Sequence, residues 1–206
     1  MAGPAEAGLE RARDLERFLT FIDAAVAIAL TLLVLPLVDL TVELRRDDSV
    51  ANLLRNHGWQ FFAFGLSFVV IARVWLGHHD VMRPVIASST AVVLFSLLWL
   101  ACVVFLPFPT ALVATVGDQS LTRVLYFGTM AASGLSLTLL SWSVNRAPAI
   151  REPDPDYRDH VVSNAVITAY FVLALGVALL LPSLGYLALL LLFLTTPTVK
   201  LIRRRG

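Results

Sequence analysis

The chain has 206 residues, of which 58% are hydrophobic and 15% charged, with a mean hydropathy of +0.78 and a formal net charge of +1. A soluble domain carries about 25% charged residues, and one of this size hides only about 70% of its unfolded surface, which excludes an ordinary soluble enzyme. The near-neutral charge gives no reason to expect a nucleic-acid partner, and the single cysteine, Cys102, excludes an intrachain disulfide or a Cys-x-x-Cys metal or redox site.

The predicted fold is an all-α integral membrane protein with six transmembrane helices. A hydrocarbon core about 30 Å thick needs about 20 apolar residues in a helix. Residues 1–16 are polar and rich in Ala, Glu and Arg, a short cytoplasmic segment leading into a single six-helix transmembrane unit over 17–206. From Phe18 to Leu40 the only charges are Asp23 and Asp39, which defines span 1. Pro36 interrupts its outer part, removes a backbone donor and frees a carbonyl near Leu32. Span 2 runs from about Gly58 to Leu76. Pro84 to Gly117 carries no charge and accommodates span 3 plus a loop at Pro107 and Pro109. Span 4 covers about Leu121 to Val144. Arg151-Glu152-Pro153-Asp154-Pro155-Asp156 reads as a linker that proline keeps out of helix. Val161 to Val199 is again free of charge and too long for one helix. Pro182-Ser183-Leu184-Gly185 divides it into spans 5 and 6.

Orientation follows from Lys and Arg. With both termini inside, the inner segments hold Arg11, Arg13, Arg17, Arg73, Arg83, Arg146, Arg151, Arg158, Lys200, Arg203, Arg204 and Arg205. The outer loops hold only Arg45, Arg46, Arg55 and Arg123, so cytoplasmic termini in a plasma (inner) membrane are expected. Trp59, Trp75, Trp142 and Tyr157 fall near span ends, as an aromatic belt requires. The first apolar run is too long for a signal peptide and carries Asp23.

An ionisable group at membrane depth costs several kcal/mol unless paired or wet, so each marks a site. Asp23 lies just inside span 1, with Arg17 six residues earlier, and Arg73, His78 and His79 close span 2 at the same interface. Paired, they would clamp span 1 against span 2; the alternative is plain interfacial snorkelling, which suits Arg73 better than Asp23. His78 and His79 are adjacent and point about 100° apart on a helix, a poor arrangement for one metal ion, and no metal or other cofactor is expected. Gly65-Leu66-Ser67 and Gly134-Leu135-Ser136 read as small residues for close helix packing rather than as part of a nucleophile elbow. Ile28, Leu32 and Leu35 share one stripe of span 1, with Thr31 beside them.

Three of these stretches carry a family likeness. Arg17-Phe18-Leu19-Thr20-Phe21-Ile22-Asp23 resembles the Arg-x-x-x-Phe-Ser-Asp signature of the transmembrane protein 175 potassium channels. Ala27-Ile28-Ala29-Leu30-Thr31-Leu32-Leu33-Val34-Leu35 is similar to that family's Ala-Ile-x-x-Thr-Leu-Leu-Val-Leu run, and Trp75-Leu76-Gly77-His78-His79 to its Trp-x-x-His-His. The resemblance implies a prokaryotic member with one six-helix unit per chain, assembled as a homotetramer around the first helices, and a potassium-selective channel rather than an enzyme. It places Ile28 at a hydrophobic constriction, Thr31 in a polar ring, and Leu32 and Leu35 in outer apolar layers. It assigns Arg17, Phe21, Asp23, Trp75 and one of His78 and His79 to a network bracing the pore helix. Ile22 and Ala24 stand where the family carries serine and glycine. No Thr-Val-Gly-Tyr-Gly filter is present. Potassium is the expected permeant ion, and the bilayer and further copies of the chain are the expected partners. Asp39, Glu43, Asp47 and Asp48 read as a cation-concentrating outer mouth or, with Arg45 and Arg46 among them, as a solvated loop. A proton-coupled transporter using Asp23 with His78 or His79, and a non-transporting membrane scaffold, are the alternative functions.

Overall fold

The computed structural model describes residues 4–42, 49–116, 119–154 and 157–180. In chain order the helices are α1 (Pro4–Leu32), α2 (Leu35–Val42), α3 (Val50–Asn56), α4 (Gly58–Met82), α5 (Thr90–Phe105), α6 (Pro107–Val116), α7 (Ser120–Arg146) and α8 (Tyr157–Leu180), with a 3-10 turn at Pro148–Ile150. Among the described residues, five stretches are long and apolar enough to cross a membrane: Gly8–Val42, Gly58–Met82, Thr90–Thr115, Ser120–Arg146 and Tyr157–Leu180. The expected span 6, its Pro182–Gly185 turn, and Glu43, Arg45, Arg46, Asp47 and Asp48 lie outside the described residues.

The N-terminal segment is not separate from span 1. Its Ala, Leu, Glu and Arg residues have high helix propensity, and α1 runs unbroken over 29 residues, about 43 Å. It ends at Leu32, four residues before Pro36, where a turn intervenes: Val34 N bonds the Thr31 carbonyl at 3.2 Å, and Leu37 N and Val38 N both bond the Val34 carbonyl. The missing proline donor therefore divides span 1 into α1 and α2.

The loop expected at Pro107 and Pro109 is helical instead. Leu106 N bonds the carbonyls of both Cys102 and Val103, closing α5, and α6 starts at once. Pro107 opens α6 and Pro109 lies in its first turn, where backbone donors have no intrahelical partner to lose. Ser89 caps α5 through Val92 N at 3.3 Å.

Helix α7 is the centre of the bundle and packs most extensively against α8 and α5. Trp99, Tyr126, Phe127, Leu140 and Phe171 are among the large fully buried side chains around it. A Cβ at Gly134 would stand 2.8 Å from Thr168 Oγ1 and 3.3 Å from the Thr168 Cα. The absent side chain lets α7 and α8 approach until Thr138 and Thr168 hydroxyls bond at 2.9 Å. Gly65 differs from the sequence expectation: nothing lies within 4 Å of its would-be Cβ. Gly77 is the closely packed glycine of α4, 3.1 Å from Leu137.

Ser67 of α4 lies 2.9 Å from the Tyr126 hydroxyl of α7 and 2.8 Å from Thr110 Oγ1 of α6, and Thr110 also bonds the Leu106 carbonyl. This buried hydroxyl cluster ties three helices together beside the α5–α6 junction. Tyr126→Phe is expected to cost about 1 kcal/mol, measured as a lowered denaturation midpoint in detergent.

At the other end of the bundle, the segment after α4 pairs with the segment after α7. Ile86 N and Ala87 N bond the Ile150 carbonyl, and Glu152 N bonds the Pro84 carbonyl at 2.8 Å. Tyr157 donates to the Val81 carbonyl at 3.2 Å beneath the Arg151 guanidinium. Tyr157 is 0% exposed, so it is a core residue rather than a belt residue. Its hydroxyl finds a backbone acceptor inside, which removes the reason for a tyrosine to sit at the membrane surface.

Candidate functional site

Helix α1 packs against the bundle along one face only. Leu15, Ile22, Val26, Ala29 and Leu33 are buried against the other helices, chiefly α5 and α4. The opposite face is free. It carries Phe21 at 57% and Ile28 at 59% exposure, together with the exposed Arg17, Thr20, Ala24 and Thr31. Leu32 at its border, and Leu35 beyond the break, are also exposed. Thr31 Oγ1 bonds the Ile28 carbonyl at 2.7 Å. Its proton is thus directed back into the helix, and its oxygen is left to accept or to coordinate.

Asp23 is on the flank of α1 nearest α4. Its Oδ1 accepts a 2.8 Å hydrogen bond from Trp75 Nε1, which joins two helices whose residues are 52 apart in sequence. The Trp75 ring also stands 6.1 Å from that of His79. His78 faces the other way. It is 2% exposed, its Nε2 lies 3.3 Å from Ser96 Oγ of α5, and its ring stacks on Trp99 at 4.4 Å. The adjacent histidines are separated by the turn of the helix: one faces into the bundle and the other lies beside Trp75. Ser96 and Trp99 were not among the candidates from sequence, because nothing in α5 marks which of its residues meets a histidine of α4. Arg17 and Phe21 are on the free face, away from the Asp23–Trp75 bond. Glu16, Arg17, Thr20, Phe21 and Ala24 line a shallow cleft there of about 440 Å³. Among the described residues, no group of three or more His, Cys, Asp or Glu is placed to hold a metal ion.

A charge-assisted hydrogen bond of this kind contributes about 1.5–3 kcal/mol. Trp75→Phe keeps the aromatic bulk but removes the donor, leaving Asp23 without it. The expected result is a loss of about 1–2 kcal/mol, read as a lower unfolding midpoint of the purified protein in detergent.

Residues 17–107, which hold α1 from Arg17 onward, the Asp23–Trp75 pair and both histidines, match the family model described as endosomal/lysosomal potassium channel TMEM175. That stretch is similar to the TMEM175 family. One relative is a potassium channel of Streptomyces collinus, 29% identical over 143 residues, covering 66% of this chain and 67% of that protein. A potassium channel of Chamaesiphon minutus is 34% identical over 98 residues, covering 48% of each. The human endosomal/lysosomal proton channel TMEM175 is 24% identical over 156 residues, covering 71% of this chain and 30% of the human protein. The chain thus spans less than half the length of two of these three relatives.

Proposed function

We propose that the chain is a potassium-selective cation channel of the plasma membrane, assembled as a homotetramer with α1 around the axis and both termini cytoplasmic. The observation that carries this reading is the free face of α1. Facing lipid, this helix would set the outward lone pairs of Thr31, and those of Thr20 whose proton goes to the Glu16 carbonyl at 2.8 Å, beside hydrocarbon. Facing three other copies, the same groups line a passage, and the apolar Ile28 between them forms its neck. Two of the relatives are named potassium channels, which supports the same reading.

Four Ile28 side chains around a narrow axis exclude water, so a cation entering the neck sheds part of its hydration shell. Potassium holds water less tightly than sodium and passes at lower cost. Thr31, one turn outward, offers oxygen lone pairs to the partly stripped ion. Leu32 and Leu35 continue the apolar lining outward, across the α1–α2 break. Asp23 and Trp75 hold α1 against α4, so the position of the neck is set by the bundle behind it. His79 stands beside that bond, while His78 anchors α4 to α5. The chemistry is passage and not catalysis. The human relative is named a proton channel, so proton flux belongs among the measurements.

The direct test is the mass of the purified protein in detergent, followed by potassium and sodium flux in proteoliposomes. A tetramer that passes potassium faster than sodium, insensitive to an imposed proton gradient, is the expected result. A monomer, or a folded protein that passes no cation, defeats the proposal; flux driven by the proton gradient favours a coupled transporter.

A further inference from the structure

The residues of α1 repeat in sevens on both of its faces. On the buried side Leu15, Ile22 and Ala29 are seven apart, as are Val26 and Leu33. On the free side Arg17, Ala24 and Thr31 are seven apart, and so are Phe21 and Ile28. Seven residues bring a helix almost back to the same azimuth, short by about 20°, so residues at that spacing share a face. Phe21 therefore lies on the Ile28 column, about 10.5 Å nearer the N-terminus, and the two side chains have nearly equal exposure, 57% and 59%.

We infer that Phe21 contributes a second, aromatic ring to the pore, one seven-residue period inward of the Ile28 neck. The inference rests on the channel reading and refines it. The family resemblance assigns Phe21 to the bracing network, but Phe21 and Asp23 are two residues apart, about 200° around the helix. Asp23 uses its side of α1 to reach Trp75; Phe21 stands on the far side, in the cleft it shares with Glu16, Arg17, Thr20 and Ala24. It cannot brace α1 against α4 from there. Around a fourfold axis, the Phe21 rings form an apolar layer between the charged inner mouth, where Arg17 and Glu16 lie, and the Ile28 neck. Aromatic faces attract a partly dehydrated cation where aliphatic ones do not, so this layer stages ions entering from the inside.

The test uses the full-length chain with Cys102→Ala, carrying either Phe21→Cys or Ile28→Cys. A small charged thiol reagent is applied to proteoliposomes, and adduct mass and potassium flux are read separately. Copper–phenanthroline oxidation, followed by a non-reducing gel, reports proximity between copies without any flux measurement. The expected result is an adduct on residue 21 that lowers flux about tenfold, and a disulfide-linked dimer through the same position. If residue 21 gives neither adduct nor dimer while residue 28 gives either, Phe21 lies outside the pore and the channel reading survives. If neither position responds, the ring of first helices is wrong, and both proposals fall. Phe21→Tyr preserves the ring should the cysteine variant fold poorly. Its hydroxyl wets the layer, so flux should rise severalfold, and unchanged flux overturns the inference.

Discussion

Ile28→Asn is expected to raise total cation flux and bring the potassium-to-sodium flux ratio close to unity. The selectivity proposed here depends on a neck that gives a cation almost nothing in exchange for its water. Four carboxamides at that position replace lost water ligands for sodium as readily as for potassium and keep the neck hydrated. The difference between the two ions' dehydration costs then no longer falls on the barrier. A preference factor of about ten corresponds to only about 1.4 kcal/mol of barrier difference, well within what a change from sec-butyl carbon to amide removes. Because Ile28 is exposed in the protomer and the Asp23–Trp75 bond is untouched, the variant should elute in detergent like the parent chain. The check is potassium and sodium efflux from matched proteoliposomes. An unaltered ratio from a correctly assembled protein would remove Ile28 from the neck.

Gly134→Val should be the most damaging single substitution in the bundle. Even a methyl group there meets Thr168 Oγ1 at 2.8 Å and the Thr168 backbone at 3.3 Å, with the Phe171 ring also at 3.3 Å. A side chain can rotate away from a clash, but the α8 backbone can yield only by moving the whole helix. Separation of α7 from α8 also breaks the 2.9 Å hydroxyl bond between Thr138 and Thr168. Overpacking of this kind costs about 1–3 kcal/mol, and loss of the bond adds about 1 kcal/mol. Gly65→Ala is the matched control: its Cβ meets nothing within 4 Å, and alanine favours the helix by about 1 kcal/mol over glycine. Denaturation midpoints in detergent should therefore move in opposite directions. If Gly134→Val leaves the midpoint unchanged, α7 and α8 are not as closely packed as the structure has them.

The class of protein was legible from composition, and so were the five described spans, because length and hydropathy alone decide whether a helix fits a bilayer. The break near Pro36 was also legible, since a missing backbone donor acts locally. Pro107 and Pro109 misled for the complementary reason: a proline interrupts a helix in its interior but is tolerated in the first turn, and only the structure shows a new helix starting there. Asp23 and the two histidines announced themselves as titratable residues in apolar surroundings, and Trp75 through its place at a span end and in the family motif. Their pairing did not, because the azimuth of α4 about its own axis decides that Trp75 reaches Asp23 while His78 turns to Ser96 and Trp99. The same holds for Gly65 and Gly134, alike in their flanking residues and opposite in surroundings.

By itself, the amino-acid order determined that this is a helical membrane protein, roughly where its five described membrane-length stretches lie, and which residues are too polar to be there without a partner. Those are properties of one segment meeting solvent or lipid, and they need no neighbours. Tertiary structure alone decided which face of α1 is buried by its own bundle and which is left uncovered, with Ile28 and Phe21 on it. That choice depends on side chains brought together from α4, α5 and α6, whose packing no single helix encodes.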